Sequence, residues 1–239
     1  MGRGPSIEGR KNAEDAKRGK IFTKLIREIT IAARNGGDPA TNSRLRMGID
    51  KALSANMTKD TIERALKRGA GLDGSDNMQE LRYEGYGPAG VALIIDCMTD
   101  NQQRTVADVR HALAKHDGNL GTTGSVAFQF KHLGELVIKT PDAASEERVL
   151  EIALDAGADD VQTQDGQSIV LCALENFEAV KKALIAAKLQ PLRADIVWRP
   201  ENRVPVGGEV EETLRDLLEK LDELDDVQEV YHNAALVES

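Results

Sequence analysis

The apolar residues of this chain change their spacing once, across the run GAGLDGSDN between Gly69 and Asn77. Before it they recur at helical intervals; after it they come in short continuous or alternating runs. A helical stripe and a strand pattern bury different faces, so a helical part must precede a mixed part, with that run as the linker. From Lys20 onward, Ile21, Phe22, Leu25, Ile26, Ile29, Ala32 and Ala33 share one face of a helical wheel, and Gly36-Gly37 ends the helix. A second helix over about Asn42–Ala55 would bury Leu45, Ile49, Ala52 and Leu53. Thr58 suits the N-cap of a third, with Asp60 in its first turn and Ile62, Ala65 and Leu66 on its apolar face, stopping at Gly69. Residues 1–19 carry few large apolar side chains and read as a flexible or only partly ordered arm.

Beyond the linker, Val91–Cys97 is a continuous apolar run, Arg104–Lys115 is helical, and Ser125–Phe130 alternates like a half-buried strand. Glu135–Lys139, Ser145–Ala156, Asp160–Gln164, Ser168–Leu174, Asn176–Lys188 and Asp195–Trp198 then read as strand, helix, strand, strand, helix, strand, with Asp165-Gly166 as a hairpin turn. That order predicts a ferredoxin-like split βαβ unit. A short Val204–Val206 piece, a helix over Glu211–Leu224 and a strand over Val227–Tyr231 complete the unit begun at Val91. The fold class expected is therefore α+β: an N-terminal three-helix domain (1–78), then two ferredoxin-like α/β domains. The third (132–199) is inserted within the second (79–131 and 200–239).

Charge divides at the same place. Residues 1–72 hold 16 basic and 8 acidic residues, a net of +8, whereas the remainder holds 15 against 32, a net of −17. One end should attract polyanions and the other repel them. Aromatic residues are only 3% of the chain, too few for the stacking platforms of single-strand binders. Cys97 and Cys172 each lie within an apolar run and are expected to be buried strand residues in a reducing compartment. Two cysteines are too few for a zinc site of the usual kind. No N-terminal segment resembles a signal peptide, and the apolar run around Val91–Ile95 is far too short to span a bilayer. A cytoplasmic protein without a membrane partner is expected.

The runs DAKRGKIFTKLIREITIAARNGGDP and LRMGIDKALSANMTKDTIERALKRG, with the block YEGYGPAGVALIIDCMTDNQQRTVADVRHALAKHDGNLGTTGSVAFQF, resemble the YebC/PmpR family. The likeness covers nearly the whole chain. It implies three domains, the helical one first and the third inserted into the second, and a DNA-binding transcriptional regulator. Mitochondrial relatives, translational activators of cytochrome c oxidase subunit I, imply instead a ribosome-associated translation factor on structured RNA. Family members commonly open with a Gly-His-Ser-Lys-Trp type arm, whereas this chain opens MGRGPSIEGRKNAED, so no contact through that His or Trp carries over.

Opposite the apolar stripe of the first helix, Lys17, Lys20, Lys24, Arg27 and Arg34 fall within an arc of about 100°, with Arg18 beside them and Glu28 at the edge. A solvated helix usually alternates charge to gain pairs one turn apart, so a one-sign stripe points to phosphate. Arg44, Arg46 and Lys51 on the second helix would widen it, with the acidic domains facing away. Lys67 and Arg68 suit a helix C-terminus. Asp100, Asn101 and Thr105 look like helix-start residues. The Gly118–Gly124 segment lacks a phosphate-loop ending and reads as a turn. His111 and His116 have the wrong spacing for a metal, and Phe128 and Phe130 read as core. No nucleophile–base arrangement emerges. The expectation is a non-enzymatic regulator without cofactor or metal. Its partner would be nucleic acid, duplex DNA or structured RNA, with a ribosome or other proteins as further partners of the acidic domains.

Overall fold

The computed structural model describes residues 7–71 and 77–236. Its elements are α1 (Ile7–Ala33), α2 (Ser43–Ser54), α3 (Lys59–Gly69), β1 (Gln79–Tyr86), β2 (Ala92–Thr99), α4 (Gln102–Lys115), β3 (Asn119–Leu120) and β4 (Phe130–Lys139). There follow α5 (Ala143–Asp155), β5 (Asp160–Gln164), β6 (Gln167–Cys172), α6 (Phe177–Ala186), β7 (Arg193–Pro200), β8 (Val204–Pro205), α7 (Gly208–Glu223), β9 (Val227–His232) and β10 (Ala234–Ala235). The fold is α+β and forms two compact units. The described residues up to Thr122 join Gly207–Val230 in the first; Thr123–Val206 and the described residues from Tyr231 form the second.

In the first unit, α1 to α3 enclose Ile29, Ala32, Ala33, Leu45, Ala52, Met57, Ile62 and Ala65, with Phe22, Leu25, Ile26, Ile49 and Leu66 packed around them. Asn42 joins two of these helices. Its side-chain oxygen caps α2 by accepting from the Leu45 N–H at 3.0 Å, while its amide nitrogen donates to the carbonyls of Ala32 at 2.7 Å and Gly36 at 2.8 Å. One buried side chain thus bonds carbonyls at and just beyond the end of α1 and satisfies a donor at the start of α2. Thr58 caps α3, accepting from the Thr61 N–H at 3.3 Å.

Three expectations about these helices need correcting. Helix α1 starts at Ile7, so residues 7–19 are helical rather than a loose arm; residues 1–6 lie outside the described residues. The stretch is rich in Glu, Lys, Arg and Ala, and extending an established helix costs far less than nucleating one. Ile21 is 51% exposed and Leu53 44%, so neither is core. The contacts around Ile29 lie nearer the C-terminal end of α1, and the bundle's partly buried apolar shell begins only at Phe22.

The sheet of this unit has the order β3-β1-β2-β9. Strand β1 carries no strand pattern that the sequence alone reveals. Its apolar side chains are few, and it is fixed by an antiparallel ladder to β2 in which Arg82 faces Asp96 and makes a two-pronged ion pair at 2.6 and 3.1 Å. Leu93 to Ile95 and, from the helices, Val109, Leu113, Leu214, Leu217 and Leu221 are fully buried.

The second unit carries an antiparallel sheet in the order β5-β6-β4-β7, the strand order of a ferredoxin-like βαββαβ unit. Asp165 and Gly166 both take positive φ (51° and 72°), the signature of the tight hairpin expected there. Ser125–Phe130 is not a strand. Ala127–Gln129 forms a short 3-10 turn and β4 begins only at Phe130. The two phenylalanines therefore part company: Phe130 is buried, whereas Phe128 is 74% exposed and is not core. Cys97 and Cys172 are buried free thiols on β2 and β6, and burial pushes them up to about 12 and about 11.

Helices α1 and α3 meet at Gly69, where a β-carbon would stand 2.0 Å from the Thr30 carbonyl oxygen, a backbone atom that cannot swing aside. Gly69→Ala should therefore destabilise the chain by about 1–3 kcal/mol through overpacking. Gly19→Ala, in α1 with open space around it, should instead stabilise it by about 0.5–1 kcal/mol. Urea unfolding followed by circular dichroism reads both signs.

Candidate nucleic-acid interface

The basic stripe of α1 is open at one end and covered at the other. Lys17 and Arg18 are exposed, the latter with its guanidinium 5.1 Å from the centre of the Phe22 ring, and Lys20 is half-buried. One turn on, Lys24 bonds Asp222 at 2.5 Å and its side chain is only 19% exposed. Arg27 follows at 16% exposure; it donates to the carbonyls of Met98 and Asp225, each at 2.7 Å, and to the Asp226 carboxylate at 2.9 Å. Gln228 donates to the Lys24 carbonyl at 2.9 Å. Arg34 donates to the Met78 carbonyl. The acidic last turn of α7 and the turn that follows it therefore pack on the C-terminal half of the stripe, and this part of the acidic sequence faces the basic helix rather than away from it.

The cations of α2 also have internal partners. Arg44 clasps Glu28 through two nitrogens at 2.7 and 3.3 Å and reaches Glu80 at 2.5 Å. Arg46 donates to the Pro39 carbonyl at 2.9 Å and the Ser43 hydroxyl at 3.1 Å. Lys51 is exposed, two turns along α2 from Arg44. On α3, Lys67 pairs with Glu63 at 2.7 Å.

At the centre of the covered half stands Asp226, 6% exposed. Besides Arg27, its carboxylate accepts from Arg104 at 3.0 and 3.1 Å and from the Thr105 hydroxyl at 2.8 Å, while its backbone carbonyl accepts from Met98. Burial works against the charge, but the bonds from Arg104, Arg27 and Thr105 outweigh it and hold the carboxyl below the usual range. Arg104 is placed by the start of α4, where Asn101 accepts from its N–H at 3.0 Å, and it also pairs with Asp100 at 2.8 Å. Sequence reading misses Arg104, Asp222 and Asp226. Arg27 and Asp226 are 199 positions apart, and nothing local marks either as a partner.

A cleft of about 490 Å³ opens beside this cluster, lined by Asp100, Asp108, Glu223, Asp225 and Asp226 as well as by Arg27 and Arg104. Carboxylates outnumber cations there and both arginines are engaged, so the cleft repels phosphate. Among the described residues no cluster of His, Cys, Asp and Glu could hold a metal ion, and no helix is long and apolar enough to cross a membrane.

Asp226→Asn should cost about 3 kcal/mol near neutral pH, because it leaves two arginines facing a neutral group; Arg104 keeps Asp100, which holds the loss at the low end for a broken buried pair. A depressed carboxyl stabilises the fold above its ordinary pKa of about 4, and that stability is lost as pH falls through the lower folded value. The gap between wild type and variant should therefore narrow below about pH 4, as protonation brings the wild type to the same neutral state. Urea titrations at several pH values measure it.

Comparison with known proteins gives concordant matches. The N-terminal domain model of TACO1/YebC proteins matches residues 4–72, and the model of their second and third domain matches residues 78–234. A probable transcriptional regulatory protein of Xanthomonas campestris pv. campestris (strain B100) is 57% identical over 237 residues, covering 98% of this chain and 97% of the relative. Another from Stenotrophomonas maltophilia (strain K279a) is 56% identical over 240 residues, covering 99% and 98%. The crystal structure of a conserved hypothetical protein from Aquifex aeolicus superimposes with a TM-score of 0.84 at 41% identity, covering 94% of this chain and 93% of the other.

Proposed function

The chain belongs to the TACO1/YebC family, and from that premise we propose a non-enzymatic regulator of gene expression that binds nucleic acid through the open end of the α1 stripe. The observation that carries the proposal is the graded exposure of one continuous basic line: Lys17 and Arg18 lie in solvent and Lys20 at the boundary, ahead of the covered Lys24 and Arg27. Three cations within four residues on a helix match the closely spaced phosphates of a duplex. Glu209, Glu212, Asp216 and Glu219, all exposed on α7, disfavour phosphate on that helix and bias its approach to α1. The relatives are called probable transcriptional regulatory proteins, which favours DNA as the target. Burial holds both thiols in the protonated form, which makes them poor nucleophiles.

Replacing Lys17, Arg18 and Lys20 together by Ala should weaken binding to a mixed-sequence DNA duplex and leave the helical circular dichroism intact, since Ala keeps helix propensity. The slope of log K against log salt should flatten by about 0.9 for each phosphate that is no longer neutralised. The weakening should be similar for unrelated sequences, because phosphate contacts read no bases. An unchanged slope overturns the assignment. A chain that binds folded ribosomal RNA far more tightly than duplex DNA at equal salt moves the reading from transcription to translation.

A further inference from the structure

We propose that the acidic segment formed by the last turn of α7 and the turn that follows it, residues 222–226, is an internal competitor for the nucleic-acid surface, so that full engagement of a duplex displaces it from α1. The inference rests on the proposed binding by the α1 stripe and goes beyond it. Lys17, Lys20, Lys24 and Arg27 form one row on the same face of the same helix. A phosphate backbone running along that row would next meet Lys24 and Arg27, and there protein oxygens already occupy the donors. Asp222 holds Lys24, while the Asp226 carboxylate and two carbonyls, from Met98 and Asp225, surround Arg27. Those oxygens sit on the cations as phosphate oxygens would. Carboxylate and phosphate cannot hold the same ammonium hydrogens at once, so the two states exclude each other.

The two cations differ in how readily they are released. Asp222 is 75% exposed, and its pair with Lys24 is screened by water and salt. Arg27 is bound through three acceptors and releases later. Closed, this row offers phosphate its Lys17–Lys20 end; open, it adds Lys24 and then Arg27. Loosening the turn should therefore raise affinity and deepen the salt dependence, by about 0.9 in slope for each cation freed.

The test uses the full chain, a mixed-sequence 20-base-pair DNA duplex and two charge-matched variants. Asp222→Asn breaks the pair with Lys24. Glu151→Gln removes one exposed acid of α5, a residue with no part in the basic row or its partners. At low salt Asp222→Asn should tighten binding about threefold, the scale of an exposed ion pair, and steepen the salt slope, whereas Glu151→Gln should do neither. Deuterium exchange of the 222–228 backbone should speed up when the wild type binds duplex, and should already be faster in free Asp222→Asn. Equal affinities for the two variants, or unchanged or slower exchange at 222–228 in a chain that demonstrably binds, overturn the competitor and leave the proposed function standing. Binding by Asp222→Asn alone supports both. Failure of the wild type and both variants to bind at any salt overturns the proposed function, and the competitor with it.

Discussion

Asp226 is a carboxylate almost sealed from water with two arginines bonded to it, and the first unit is organised around that charge. A carboxylate without partners could not stay ionised at this depth, since the cost of stripping its water would exceed anything the fold recovers elsewhere. Arg27 brings α1 to it. Arg104 and Thr105 bring the first turn of α4, and the Asp226 carbonyl accepts from Met98 of β2. Two helices and the sheet thus converge on one residue of the α7–β9 turn, each supplying a donor to its oxygens. Remove the carboxylate and the arginines become the uncompensated charges, so the cluster fails as a unit.

The same cluster gives the charge division of the chain a second meaning. A basic segment followed by an acidic remainder suggests a surface for polyanions with the acids turned away, yet part of that complementarity is satisfied inside the molecule. Lys24 meets the last turn of α7, Arg27 meets the turn after it, and Arg44 reaches Glu80 at the start of β1. Within one unit, then, opposite charge helps to seat the helices against the sheet. Along this row of cations the Lys17–Lys20 end remains outward. A stripe of one sign forgoes stabilising pairs along its own helix, and here half of it finds them on elements almost 200 positions away.

Much of the fold is legible in periodicity and turn chemistry. The three helices, the change to strands after the linker, the Asp165-Gly166 hairpin and the order of the ferredoxin-like unit follow from local rules that the sequence obeys. The misses share a cause. Strand β1 exists because β2 pairs with it, with Arg82 facing Asp96, and the first half of α1 because the second half is already helical. Phe128 alternates with Phe130 on paper, but the chain turns before β4 and carries the first ring into solvent. In each case a neighbour in space or along the chain overrides a weak local preference.

By itself the sequence determined most of the helical and extended segments, where the basic and acidic residues lie, and which one-sign row runs along α1, because these depend on spacing and composition. Only the tertiary structure decided which of those cations remain available. Exposure and ion pairing are set by what packs against a side chain, and for Lys24 and Arg27 that is a turn reached only after the rest of the chain has folded back. An arginine on a helix wheel looks the same whether it faces water or a buried carboxylate. The difference lies in the free energy of desolvating a charge and pairing it, and that depends on three-dimensional neighbours which no local pattern encodes.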